Sequence, residues 1–155
     1  MEIRELTPFL SVSPQIAERD LAAVAALGFK GVIGNRPDKE EDTQPASAAI
    51  AAAAERAGLA YRHIPVVSGK VTDADVEAFA AAVAEMRGPI LAFCRTGTRS
   101  TTLWALSQAP HIGADAILRI AAAAKYDLNV LRPRLEARAA AGPAMLRNET
   151  RPPRF

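Results

Sequence analysis

Short apolar runs alternate with Ala-rich helical patterns along this chain, and that alternation limits its fold more than any single residue does. The runs at residues 3–6, 9–12, 30–33, 61–67 and 90–93 read as strands, with Pro65 placing the fourth at an edge or ending it. Between them lie segments with apolar residues at helical spacing. Strands separated by helices cannot pair as hairpins, so repetition of this kind builds an α/β fold with a central, mostly parallel sheet flanked by helices.

The helix signals are local. Ser13 is placed to cap a first helix with Pro14 at its first position, and Leu21, Val24, Ala25 and Leu27 form its apolar stripe before Gly28. A second helix is expected over residues 46–57, ending at Gly58. Thr72-Asp73-Ala74-Asp75 has the form of a capping box for a third helix carrying Val76, Phe79, Ala80 and Val83, closed by Gly88-Pro89. A fourth follows Cys94 directly, through Leu103, Trp104 and Leu106, and is expected to stop at Pro110. Extra C-terminal helices are expected near 114–124 and 128–141, the last started or kinked by Pro133. Residues 1–141 thus read as one domain, and residues 142–155 as an Arg- and Pro-rich, loosely docked tail.

Composition narrows the partners. The 155 residues carry a formal charge of +2, and the basic excess gathers in Arg132, Arg134, Arg138, Arg147, Arg151 and Arg154 without interleaved aromatic residues, so no nucleic-acid partner is expected. No apolar run approaches the roughly 20 residues that span a bilayer, and no membrane association is expected. One cysteine leaves no internal disulfide framework, and Met1-Glu2-Ile3-Arg4-Glu5 has no apolar signal core, which points to a reducing cytoplasm. Two distant histidines and no clustered carboxylates make no metal site, and no cofactor is expected. His63, on a strand, and His111, after Pro110, read as structural or surface residues, and the oligomeric state is left open.

The chemistry concentrates where residues 90–93 run into Cys94-Arg95-Thr96-Gly97-Thr98-Arg99-Ser100. A thiol attacks only as thiolate, and the unpaired N–H groups and dipole at a helix N-terminus favour that anion. The same amides hold a phosphate or sulfate oxyanion. Gly97 permits positive φ, and the Arg99 guanidinium can fork two oxygens of a tetrahedral anion. Arg95, Thr96, Gly97 and Thr98 would form the anion-binding loop, and Ser100 or Thr101 would offer a hydroxyl to the thiolate. The bland reading is a buried, inert Cys94 ending a core strand.

Over residues 6–106 the chain resembles the phosphatase-like domain of the bacterial β-lactamase hydrolase-like family, which is similar to dual-specificity protein tyrosine phosphatases. The resemblance rests on Ser11-Val12-Ser13-Pro14-Gln15, Asn35-Arg36-Pro37-Asp38, His63-Ile64-Pro65-Val66 and the Cys94–Ser100 loop, in that order. It implies a tyrosine-phosphatase-like α/β fold, Cys94 as nucleophile, Arg99 as phosphate clamp, and a small anionic substrate or phosphorylated ligand.

Three departures from the phosphatase pattern bear on mechanism. Four residues separate Cys94 from Arg99, where tyrosine phosphatases have five; rhodanese-type sulfurtransferases use the shorter loop to carry a persulfide. Phe93 stands where phosphatases usually have a histidine. Val67-Ser68-Gly69 stands where dual-specificity enzymes usually have an aspartic general acid, an aid typically worth about 10²- to 10⁴-fold. Asp38 is a candidate acid, with Arg36 and Ser68 as candidate site-border residues. Asp73 and Asp75 read more simply as charges in a helix's first turn. Arg36 is equally suited to pair with the acidic run at 38–42. Three functions remain open: a cysteine phosphatase, a sulfurtransferase with a persulfide on Cys94, or a non-catalytic oxyanion-binding module.

Overall fold

The computed structural model describes residues 1–142; residues 143–155, and with them the expected tail, lie outside the described residues. Five strands, β1 (Arg4–Thr7), β2 (Leu10–Ser13), β3 (Gly31–Gly34), β4 (Ala60–His63) and β5 (Ile90–Phe93), form one sheet in the order β1-β2-β5-β3-β4. Only β1 is antiparallel, joined to β2 by a tight turn; the other pairs are parallel. The expected α/β class with a mostly parallel sheet is therefore what the chain adopts.

Strand β5 is central, and Ile90, Leu91 and Ala92 have no exposed surface. Alternation sends Ile90 and Ala92 to one face, against Phe79, Leu103, Trp104 and Ile117, and Leu91 and Phe93 to the other, against Ile16, Leu21, Val24 and Ile50. Helices α1 (Asp20–Ala26) and α2 (Ser47–Arg56) cover the second face. Helices α3 (Asp73–Glu85), α4 (Thr98–Ile112), α5 (Ala114–Ala123) and α6 (Arg132–Ala141) cover the first. With both faces covered, a buried Leu91 cut back to Ala costs roughly 2–5 kcal/mol.

The Thr72 capping box forms as its spacing predicts: the Asp75 amide donates to Thr72 Oγ1 at 3.1 Å and the Thr72 amide to Asp75 Oδ2 at 3.0 Å. Several expectations need correction. Helix α1 begins at Asp20, not at Pro14. The Gln15 amide donates instead to the Arg95 carbonyl at 3.2 Å, and the Ala17 amide to Asp20 Oδ2 at 2.8 Å, so residues 14–19 stay non-helical to brace the loop after β5. Leu27, assigned to the apolar stripe, is 65% exposed.

The fourth strand ends at His63 rather than Val67. The chain still follows β3, with the Ile64 amide on the Gly34 carbonyl at 2.8 Å and the Val66 amide on the Asn35 carbonyl at 3.0 Å, but Pro65 has no N–H to continue the ladder. Helix α4 does not stop at Pro110; it runs to Ile112 with the proline inside. A proline there leaves the carbonyl four residues earlier without its helical donor. That carbonyl, on Leu106, accepts from Arg138 Nε of α6 at 2.6 Å, so a buried side chain replaces the missing bond. The last helical segment, expected from residue 128, starts as a 3-10 turn at Asn129–Leu131, with Pro133 in the first turn of α6.

Candidate active site

Cys94 leaves the C-terminal end of the central strand, fully buried, between β2 and β3. That is where open parallel sheets place their ligands. The chain turns through Arg95 and Thr96 to Gly97, which at φ +93° precedes α4 and donates its amide to Cys94 Sγ at 3.1 Å. The turn is wedged from two sides. The Gln15 amide holds the Arg95 carbonyl, and the Tyr126 hydroxyl, from the segment after α5, donates to the Thr96 carbonyl at 3.1 Å. Burial raises the Tyr126 pKa above the usual phenol value, which keeps that donor protonated. A Cβ on Gly97 would strike the Tyr126 hydroxyl, so both φ and space demand glycine.

Arg99, in the first turn of α4, is buried. Its NH1 donates to the Val66 carbonyl at 3.0 Å and to Glu40 Oε2 at 2.7 Å, and its NH2 to Glu40 Oε1 at 2.9 Å. Arg36 Nε reaches the same Glu40 Oε1 at 2.9 Å, with Arg36 NH2 3.4 Å from Glu41. Pairing of Arg36 with the acidic run is thus the arrangement found. Between two guanidinia the Glu40 carboxyl is held down to about 2, chiefly by the Arg99 hydrogen bonds and against the opposing effect of burial. Arg99 is correspondingly pushed above its usual value by Glu40, and neighbouring Cys94 acts in the same direction.

The hydroxyls expected on the thiol are used elsewhere. Ser100 Oγ donates to Asn35 Oδ1 at 2.8 Å, and Thr101 Oγ1 to the Gly97 carbonyl at 2.8 Å. Asn35, fully buried at the end of β3, also donates Nδ2 to the Ile64 carbonyl at 3.0 Å. It ties the start of α4 to the segment that follows β4. Phe93 packs into the α1/α2 side, beside Gly34, where a Cβ would crowd both its ring and the Tyr61 hydroxyl.

A cavity of about 330 Å³ opens over the loop, lined by Ser68 to Val71, Arg95, Thr96, Thr98, Arg99, Thr102, Leu131 and Arg134. The loop residues Arg95, Thr96, Thr98 and Arg99 meet Ser68 there; Arg36 and Asp38 are not on this wall. Asp38 Oδ1 accepts the Ser47 amide at 2.7 Å and so caps α2. His63 Nε2 contacts the Arg36 carbonyl at 2.8 Å. Asp73 pairs with Arg134 at 2.9 Å. No carboxylate lines the cavity. Sequence reasoning did not single out Glu40, Tyr126, Lys70 or Arg134 for the site. Glu40 left a trace as part of the acidic run facing Arg36, and Arg134 as part of the basic C-terminal excess. Among the described residues no cluster of His, Cys, Asp and Glu could hold a metal ion, and no helix is long and apolar enough to cross a membrane.

A mostly parallel sheet with such a loop at the end of its central strand defines a tyrosine-phosphatase-like α/β domain. The solved structure of Tk-PTP shares this fold, with a TM-score of 0.65 at 16% identity over 90% of this chain and 97% of that one. The chain belongs to a narrower group, since residues 2–111 match the family described as beta-lactamase hydrolase-like protein, phosphatase-like domain. It is 41% identical over 108 residues to the beta-lactamase hydrolase-like protein of Xylella fastidiosa Temecula1. That match takes in 70% of this chain and 25% of the relative, so the chain spans about a quarter of the curated relatives' length. A solved structure from Neisseria meningitidis Z2491, of a protein proposed to be a phosphatase, is 39% identical with a TM-score of 0.81, covering 89% of this chain and 99% of that one.

Proposed function

We propose that this domain is a cysteine-dependent phosphatase that hydrolyses a phosphomonoester through a phosphocysteine intermediate, in keeping with its phosphatase-type family. One observation carries the reading: a buried sulfur at the end of the central strand, beside an arginine that is locked by Glu40 and Val66 and stands with Arg95, Thr96 and Thr98 on the wall of one cavity. Cys94 Sγ attacks phosphorus in line, the P–O bond to the leaving group breaks, and the loop amides and Arg99 hold the equatorial oxygens as charge shifts onto them. Water then cleaves the P–S bond, returning inorganic phosphate and the thiolate. Glu40 acts as a positioning residue: with NH1 and NH2 engaged, the guanidinium cannot swing away from the sulfur. A lone catalytic thiol suits a reducing cytoplasm.

The cavity wall offers no carboxylic acid to protonate a leaving alkoxide, which favours activated, aryl-type leaving groups. The same feature, with the four-residue spacing from Cys94 to Arg99, favours a second reading. In a sulfurtransferase, Cys94 thiolate takes the outer sulfur of thiosulfate, releasing sulfite, and cyanide removes it as thiocyanate; no proton donor is needed. Phosphate release from p-nitrophenyl phosphate and thiocyanate release from thiosulfate plus cyanide, measured for the parent and Cys94→Ser, separate the two. Phosphate release abolished by Cys94→Ser supports the phosphatase. Thiocyanate release alone supports the sulfurtransferase. Undiminished phosphate release by Cys94→Ser refutes a cysteine mechanism.

A further inference from the structure

The cavity wall gathers four cations, of which three each face a carboxylate. Arg99 is answered by Glu40, Arg95 stands 3.6 Å from Glu41, and Arg134 is paired with Asp73. Lys70, which has no ion pair among the described residues, adds a fourth cation to a wall without a carboxylate. Arg134 comes from α6 and is fixed by its NH1 donating to the Val71 carbonyl at 2.7 Å, one residue from Lys70. Lys70 is thus, among the described residues, the wall cation with no carboxylate facing it, and screening confines its pull on an anion to a Debye length of about 8 Å, so the anionic group it draws must sit on this wall.

The remaining wall says what joins the two charges. Val71 and Leu131 are its aliphatic members, and no aromatic side chain offers a stacking surface. At about 330 Å³ the cavity lies at the small end of the range for ligand sites, room for roughly ten waters and so for more than a lone phosphate. A compact molecule with two anionic ends fits this wall better than one with a single anionic end.

We propose that Lys70 and Arg134 form a second anion subsite beside the Cys94 loop, so that the substrate is a small phosphomonoester bearing a second phosphate or carboxylate. This rests on the phosphatase reading for turnover, though not for binding. Two measurements keep them apart. In Cys94→Ser protein, fructose 1,6-bisphosphate is expected to raise Tm more than fructose 6-phosphate does at equal concentration, and Lys70→Ala to erase the difference. Equal shifts from the two sugars, or a difference that survives Lys70→Ala, overturn the subsite.

For turnover, 3-carboxyphenyl phosphate is compared with phenyl phosphate, whose leaving group is similar but uncharged. The expected result is kcat/KM at least about tenfold higher for the carboxylated ester, reduced to parity by Lys70→Ala with phenyl phosphate unchanged. A fall shared equally by both esters refutes a subsite role for Lys70. If neither ester is cleaved by the parent, the phosphatase reading fails and the binding measurement still decides the subsite. Lys70 makes no ion pair among the described residues, so its removal spares the fold; Arg134→Lys, which keeps the charge, is expected to retain most of the preference.

Discussion

Two buried arginines lie on the same side of the sheet and do different work. Arg99 and Arg138 are 7% and 6% exposed, and each donates to a main-chain carbonyl and to a carboxylate. Arg138 Nε goes to Leu106, whose helical donor Pro110 removed, and its NH1 reaches Asp73 at 3.3 Å. Everything it touches belongs to the packing of α3, α4 and α6. Arg99 is held as firmly, but beside a sulfur and on the wall of a cavity. Burial and partner count therefore do not separate a structural arginine from a site arginine; what the guanidinium faces does.

Substitution should pull the two apart. Arg99→Lys keeps the charge but loses the fork, and is expected to lower kcat for p-nitrophenyl phosphate by about 10²- to 10³-fold, with Tm down by no more than a few degrees as the bidentate pair with Glu40 is lost. A loss under threefold would remove Arg99 from the chemistry. Arg138→Leu should do the reverse: kcat within about twofold, and stability down by about 1–3 kcal/mol for the orphaned Leu106 carbonyl, read by urea unfolding. Pro110→Ala restores the helical N–H, so the double variant should recover about 1 kcal/mol. If it recovers nothing, Arg138 is not standing in for the proline's missing donor.

Gly97 tests the loop itself and should give a smaller effect. Gly97→Ala faces both a left-handed backbone and the Tyr126 hydroxyl, with an expected loss of about 1–3 kcal/mol and a fall in activity as the amide leaves Cys94. Adding Tyr126→Phe removes the hydroxyl and should restore part of the stability. An unchanged double variant would leave backbone strain as the whole cause.

Much of this was legible in the sequence because it is local. The apolar run at 90–93, the Thr72 capping box and the glycine after Cys94 each act through neighbours a few residues away, and each appears where its pattern predicts. The misreadings that bear on the site and its helix are places where a distant group overrides a local rule. Ser13-Pro14 has the form of a helix start, but the Gln15 amide is taken by Arg95. Pro110 ends a helix only when nothing else satisfies the freed carbonyl, and Arg138 does so. Glu40 lay within a visibly acidic run, yet its role depends on Arg99 approaching from another helix. Tyr126 carried no signal, since neither charge nor periodicity marks a tyrosine that supports a loop from the far end of the domain.

The carboxylates paired with the two arginines offer the finest comparison, through pH. Glu40 is held at about 2 against an unfolded value of 4.5, so its pairing stabilises the fold fully above that value and is lost as pH falls toward 2. Asp73 is lowered too, chiefly by the hydrogen bond from Arg134, but its side chain is 70% exposed and solvent screens the pair. Glu40→Gln should therefore flatten the fall in Tm between pH 6 and pH 3 by a few degrees, at about 2–4 °C per kcal/mol for a domain of this size. Asp73→Asn should flatten it less. Equal effects from the two would mean that the Glu40–Arg99 fork is screened like any surface pair, and the contrast between the buried site and the packing interface would then lie in geometry alone.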